Sequence, residues 1–197
     1  MKAARWPVVV AVGVVVAAVG LVGGYWDRID HVAVDARHAA ASAELRSADL
    51  ETRIHGVKEL EQVINGSPDD QPAMLTELSA FIRSAPDAGC RAGGVGRDVQ
   101  AALSVLGRRR AGSDGAAVVD LHGTCLRRAQ MADIGLVRAK LAGVDLSGAE
   151  LTRAVLDGAD LSGANLTGAD LSYAHVVAAN LTRANLDGAR TEGLHIA

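Results

Sequence analysis

The sequence predicts a chain in three parts: a membrane-spanning helix, a small helical region and a solenoid of short repeats. Three observations carry that reading. Every fifth residue from Leu121 to Ile196 is a repeat centre, and twelve of the sixteen centres are Leu. A five-residue period matches neither the 3.6 of a helix nor the 2 of a strand, so the units must stack as a solenoid. Residues 7–26 contain no charged side chain. Between these two regions, apolar residues recur at helical spacing.

Residues 1–6 form a short N-terminal segment with Lys2 and Arg5. Residues 7–26 then read PVVVAVGVVVAAVGLVGGYW. Twenty residues of helix span about 30 Å, the thickness of a bilayer core. Trp6, Tyr25 and Trp26 stand at the two rims, where amphipathic rings prefer to lie. A cleaved secretory signal fits less well, because the apolar run is long and ends in bulky Tyr25-Trp26 rather than at a small-residue site. Gly13, Ala17, Gly20 and Gly24 share one helix face, a possible packing face for a second membrane helix. The expected location is therefore the cell membrane, single-pass. Lys2 and Arg5 lean towards a cytoplasmic N-terminus, but Arg28 and Arg37 nearly balance them.

Residues 27–46 are Ala-rich and are expected to form a juxtamembrane helical stalk. Residues 47–118 are expected to form a helical adaptor or cap. Ser47 or Asp49 caps a first helix with Leu50, Ile54, Val57, Leu60 and Ile64 inward. Asn65-Gly66-Ser67-Pro68 ends it, and Asp69-Asp70 is expected to cap the next helix. That second helix follows Pro72 and turns Leu75, Leu78, Phe81 and Ile82 inward. A Pro/Gly loop over 85–96 leads to a third helix with Val99, Ala102, Leu103 and Leu106 inward, expected to cover the open start of the solenoid.

The repeats occupy 119–197. Around each centre the unit is Ala–(Asp/Asn)–Leu–(Ser/Thr/Asp)–Gly, as in Ala159-Asp160-Leu161-Ser162-Gly163. The core centres are Leu121, Leu126, Leu136, Leu141, Leu146, Leu151, Leu156, Leu161, Leu166, Leu171, Leu181 and Leu186. The small residue two positions earlier also points inward, Gly helps turn the corner, and the polar residues face outward to bond turn backbone or water.

This pattern closely resembles the pentapeptide repeat family. The resemblance implies a right-handed quadrilateral β-helix with one pentapeptide per side, so that residues twenty apart stack and sixteen units make about four coils. Coils about 4.8 Å apart give a rod of roughly 15–20 Å. The order of parts is also similar to that of actinobacterial membrane-anchored pentapeptide repeat proteins. That resemblance rests on Arg53-Ile54-His55-Gly56-Val57-Lys58-Glu59-Leu60, Leu78-Ser79-Ala80-Phe81-Ile82-Arg83 and Val99-Gln100-Ala101-Ala102-Leu103-Ser104-Val105-Leu106-Gly107-Arg108-Arg109.

Little in the sequence points to chemistry. The net charge is −3 and the isoelectric point about 6.0, which argues against nucleic-acid binding. Arg108-Arg109-Arg110 is the one basic cluster and is expected to favour its helix C-terminus. Cys90 and Cys125 form no CxxC, so neither a zinc site nor a disulfide framework is expected, and a single bridge is the minor alternative. His175 and His195 stand one coil apart without a third ligand, a poor metal site. No nucleophile, base and orienting group can be named together. No enzyme and no cofactor are expected.

The expected function is a structural or protein–protein interaction module, tethered to the lipid bilayer. An unidentified protein partner would read outward residues, notably Arg153, Asp157, Tyr173, His175 and Arg183. The C-terminal coil offers a possible homodimer contact through Leu181, Leu186 and Ile196. The alternative, a gyrase-binding imitation of DNA as in quinolone-resistance members of the family, needs a long acidic rod. Residues 119–197 hold nine acidic against seven basic side chains, a net of only −2.

Overall fold

The computed structural model describes residues 35–85 and 93–196. The uncharged stretch 7–26, its packing face Gly13, Ala17, Gly20 and Gly24, and Cys90 lie outside the described residues. Among the described residues no helix is long and apolar enough to cross a membrane.

Residues 35–44 are helical (α1), followed by α2 (Leu50–Gly66), α3 (Gln71–Ser84) and α4 (Arg97–Arg108). Asp49 starts α2 by accepting the Thr52 N–H at 2.8 Å. Ile54, Val57, Leu60, Val63 and Ile64 form its buried face. Asp70 precedes α3 without capping it, because its carboxylate accepts instead from the Ser67 hydroxyl at 2.6 Å. The segment expected to be a stalk packs on the bundle: Ala41 and Leu45 are buried. A side chain on Gly56 of α2 would meet the Glu44 Cβ at 2.8 Å and the Ala41 carbonyl at 2.9 Å, so glycine is what lets α1 and α2 approach. Arg53 of α2 donates to Asp98 of α4 at 2.7 Å, and both side chains are largely shielded from water.

The repeat region winds in coils of twenty residues. Parallel bridges join Asp120 to Lys140, Lys140 to Asp160 and Asp160 to Asn180, and the same step of twenty repeats on the other three sides up to His175–His195. Each side contributes a single bridge residue, and no longer strand forms among the described residues. We number the sides by their centres: side one holds Leu121, side two Leu126, side three Met131 and side four Leu136.

The corner is a turn with a hydrogen bond from its fourth residue back to its centre, such as Val144 N–H to Leu141 O at 3.1 Å. Its third residue has positive φ at every corner from Gly123 to Gly193, the mark of a type II turn. Seven of these corners are not glycine: Arg128, Asp133, Arg138, Arg153, Tyr173, Ala178 and Arg183. The stacked coil above and below fixes the chain in that conformation despite its cost of about 1 kcal/mol or more per residue.

Centres and the alanines two residues before them fill the coil. Leu121 through Leu171 are at most 2% exposed. Leu181 is half-buried and Leu186 is 39% exposed, because no described coil stacks on the last one. One continuous core runs from Ala41 through α2, α3 and α4 into the solenoid as far as Val176.

Candidate interaction surface

Two features distinguish the surface of the rod: how its first coil is closed, and what its four sides present.

Within the rod, the backbone N–H and C=O of a bridge residue are satisfied by the coil before it. Lys140 N–H donates to Val119 O, and Lys140 O accepts from Leu121 N–H. The first coil has no coil before it, and side chains of the helical cap take that place. On side one, Asp120 N–H donates to the Ser79 hydroxyl at 3.3 Å, and Asp120 O accepts from Arg83 at 2.6 Å. On side three, the Gln100 amide bonds both backbone groups of Gln130, its Oε1 accepting at 2.9 Å and its Nε2 donating at 2.8 Å. On side four, Arg109 donates to Gly135 O at 2.6 Å, while also donating to Leu106 O and pairing with Asp114. The basic cluster thus serves its helix C-terminus through Arg109, while Arg108 pairs with Glu61. On side two, Cys125 is disulfide-bonded, which corrects the expectation of unlinked cysteines.

Sides one, two and three present mainly polar residues that bond their own turns. Asp160 accepts from Ser162 N–H, Asp170 from Ser172 N–H, and Asp145 from Ser147 N–H, each at about 3 Å. The Ser162 and Ser172 hydroxyls and N–H groups hold Asp160 and Asp170 below the usual carboxylate range. Side chains also bond along columns, as Asn165 does to Asp145 and Asn180 to Asp160, both at 3.0 Å.

Side four is different. Its outward positions hold Val137, Val155 and Val177 beside His175 and His195. Val137 is 47% exposed. The two imidazoles stack with centroids 4.4 Å apart at 19°. Val137 and Val177, forty residues apart in one column, and Val155 in the next, stand where other sides carry mainly polar residues, a signal that sequence reasoning missed.

The structure brings four of the five expected partner-surface residues together. Asp157 and His175 lie on side four, Asp157 accepting from Val177 N–H at 2.9 Å. Arg153 and Tyr173 form the corner column that leads into it. Arg153 grips Asp133 through two bonds of 2.6 and 2.7 Å, which holds the Asp133 carboxyl below its ordinary range. Tyr173 lays its ring over Gly193, where a Cβ would come within 2.5 Å of the ring. Arg183 sits on the diagonally opposite corner, between sides one and two, and takes no part in this surface. Among the described residues, no cluster of three metal-ligating side chains is present.

The family model for pentapeptide repeats (8 copies) matches residues 136–172 and 164–193. A pentapeptide repeat protein from the Arabidopsis thaliana thylakoid lumen is 42% identical over 38% of this chain and 56% of its own, with a TM-score of 0.35. HetL, a pentapeptide repeat protein of Nostoc involved in heterocyst differentiation regulation, is 33% identical over 38% of this chain and 39% of its own, with a TM-score of 0.23. The chain spans about half or less of the length of these two proteins. Another Nostoc pentapeptide repeat protein is 31% identical over 40% of this chain and 84% of its own, with a TM-score of 0.18. No curated protein matches the chain. With its five-residue period and coils of four units, the chain belongs to the pentapeptide repeat family.

Proposed function

We propose that this protein is a membrane-anchored interaction module that works by binding a protein partner and not by catalysis. Pentapeptide repeat proteins are generally structural and interaction modules. The observation that carries the reading is side four. Three sides of the rod expose polar groups already engaged with their own turns, whereas side four exposes valines and a stacked histidine pair flanked by Arg153 and Tyr173. Partly apolar surface edged by an aromatic and an arginine is what a protein partner buries with gain. The uncharged stretch 7–26 supplies the tether, and α1–α4 connect the tether to the rod.

Imitation of DNA is poorly supported. Asp133, Asp170 and Asp145 pair with Arg153, Arg190 and Arg127, so the acidic residues form no continuous stripe.

Photo-crosslinking tests the proposal. A photoreactive residue at Val177, on side four, is expected to give one discrete protein adduct in cells, and the same residue at Thr167, on side two, none. Equal adduct patterns from both positions, or none from either, would rule out side four as the partner surface.

A further inference from the structure

Three backbone hydrogen bonds join successive coils on each side of the rod, and two of them run the same way. On side one, the N–H groups of Leu121 and Gly123 donate forward to Lys140 O and Ala142 O, and only Lys140 N–H donates back, to Val119 O. Side three repeats the ratio, Met131 and Asp133 donating forward to Glu150 O and Thr152 O, and Glu150 N–H back to Ala129 O. The rod is therefore directional. Its first coil turns a surplus of carbonyls outward, and its last coil a surplus of amides.

The cap answers the first surplus with donors. Arg83, the Gln100 amide and Arg109 donate to the carbonyls of Asp120, Gln130 and Gly135. The last described coil has the opposite need. The N–H groups of Leu181, Arg183, Leu186, Gly188, Thr191 and Gly193 hold the forward-donating positions and make no hydrogen bond among the described residues. The carbonyls of Ala179, Ala184 and Ala189 stand beside them, one for every two amides. Leu186 and Ile196 are the exposed apolar side chains of this rim. Arg183 and Arg190 balance Asp187 and Glu192 around it, so its bias comes from the backbone and not from side-chain charge.

We propose that the C-terminal coil is a second docking surface, and that it takes an acidic amphipathic helix of a partner protein. Apolar residues of that helix cover Leu186 and Ile196, and its carboxylates accept from the open amides. Rows of free backbone N–H groups favour anions, and bonds to a carboxylate are roughly twice as strong as neutral ones. The occupant is the chemical inverse of the cap, with Asp or Glu where the cap brings arginine and glutamine. A second copy of the rod presents the same surplus. Amide would then face amide, and many donors would stay unmatched, which makes self-pairing the weaker use of the rim. The surface is the end of the rod and not side four, and it needs no membrane tether.

Peptide binding tests the proposal. The full chain in a neutral detergent is mixed with synthetic helical peptides that share one leucine face and carry Glu, Gln or Lys along its flanks. The net charge of −3 favours the Lys peptide in any non-specific association. The expected order is the reverse: by fluorescence anisotropy the Glu peptide binds about tenfold tighter than the Lys peptide, with the Gln peptide between. With the Glu peptide bound, exchange at the Leu186 and Gly188 N–H groups is expected to slow about tenfold, and the Val137 N–H on side four to exchange as before. Leu186→Glu, which sets a carboxylate on the rim, is expected to abolish the preference for Glu, with unchanged exchange at the Leu161 N–H showing that the rod is intact. Tighter binding of the Lys peptide, binding of no peptide, or a Glu preference that survives Leu186→Glu would overturn the proposal. Rim amides that exchange slowly without peptide, and more slowly as protein concentration rises, would give the rim to a second copy and overturn it equally. If Leu186→Glu disrupts the rod, the exchange footprint on the unmutated chain still decides, since slowing anywhere but at the rim refutes the assignment.

Discussion

Leu161 occupies a middle coil, fully buried between Leu141 below and Leu181 above. Its neighbour Ser162 faces outward, where its N–H and hydroxyl bond the exposed Asp160 carboxylate. Leu161→Ala is expected to cost about 2–5 kcal/mol, the usual loss for a buried leucine, and Ser162→Ala well under 1 kcal/mol. Denaturant midpoints of the two variants check this, and equal midpoints would mean that the register is wrong. The outward aspartates give the rod an acid sensitivity. Bonds from Ser162 and Ser172 hold the folded pKa values of Asp160 and Asp170 below the ordinary aspartate value of about 3.8, so their contribution is fully present above that value. It is lost as pH falls through the lower folded pKa. Asp160→Asn together with Asp170→Asn is expected to flatten the decline of thermal stability below pH 4. An unchanged acid limb would assign it to other groups. Both residue types were legible in the sequence, because the repeat places the same side chain in the same environment many times. The left-handed corners were legible only where glycine marks them. Arg128, Asp133, Arg138, Arg153, Tyr173, Ala178 and Arg183 adopt that conformation because stacking imposes it, and their own preference gives no hint.

At the scale of the element, α2, α3 and α4 follow from apolar spacing, and their buried faces contain the residues that spacing selects except Leu50, which at the start of α2 is only half-buried. What they do to the rod does not follow from spacing. Ser79, Arg83, Gln100 and Arg109 each meet backbone atoms 26 to 41 residues away. A side chain that stands in for a missing coil leaves no periodic trace. The effect is to satisfy the backbone groups that an open β-helix end would leave as a template for further pairing. Gln100 is the clearest case, since one amide replaces both neighbours of Gln130. Gln100→Ala is expected to destabilise by about 1–2 kcal/mol through loss of two hydrogen bonds. The control is Gln62→Ala, whose exposed amide bonds Glu59 one turn away and is expected to cost almost nothing. Hydrogen exchange at the Gln130 N–H gives the sharper reading: faster exchange in Gln100→Ala, with the Leu161 N–H unchanged.

The whole molecule is polar in its construction. One end of the rod is sealed by the cap, with Leu121 and Leu126 fully buried beneath it. The last described coil exposes 39% of Leu186 and 70% of Ile196, with Leu181 and Leu194 half-buried beside them. A rod with one sealed end cannot stack head to tail into a filament. Any pairing of its open coils is therefore isologous and closes at two copies. The apolar patch is small, so the pairing is expected to be weak, and a shared membrane anchor would raise the effective concentration of the two copies. A chain starting at Asp27 is expected to show a reversible monomer–dimer equilibrium by sedimentation. Leu186→Glu would place a charge against its symmetry mate at the contact and shift that equilibrium fully to monomer. Unaltered fluorescence of Tyr173, whose ring rests on the final coil at Gly193, would show that the variant keeps its fold. Monomer at every concentration in both chains would rule out pairing through the open coil.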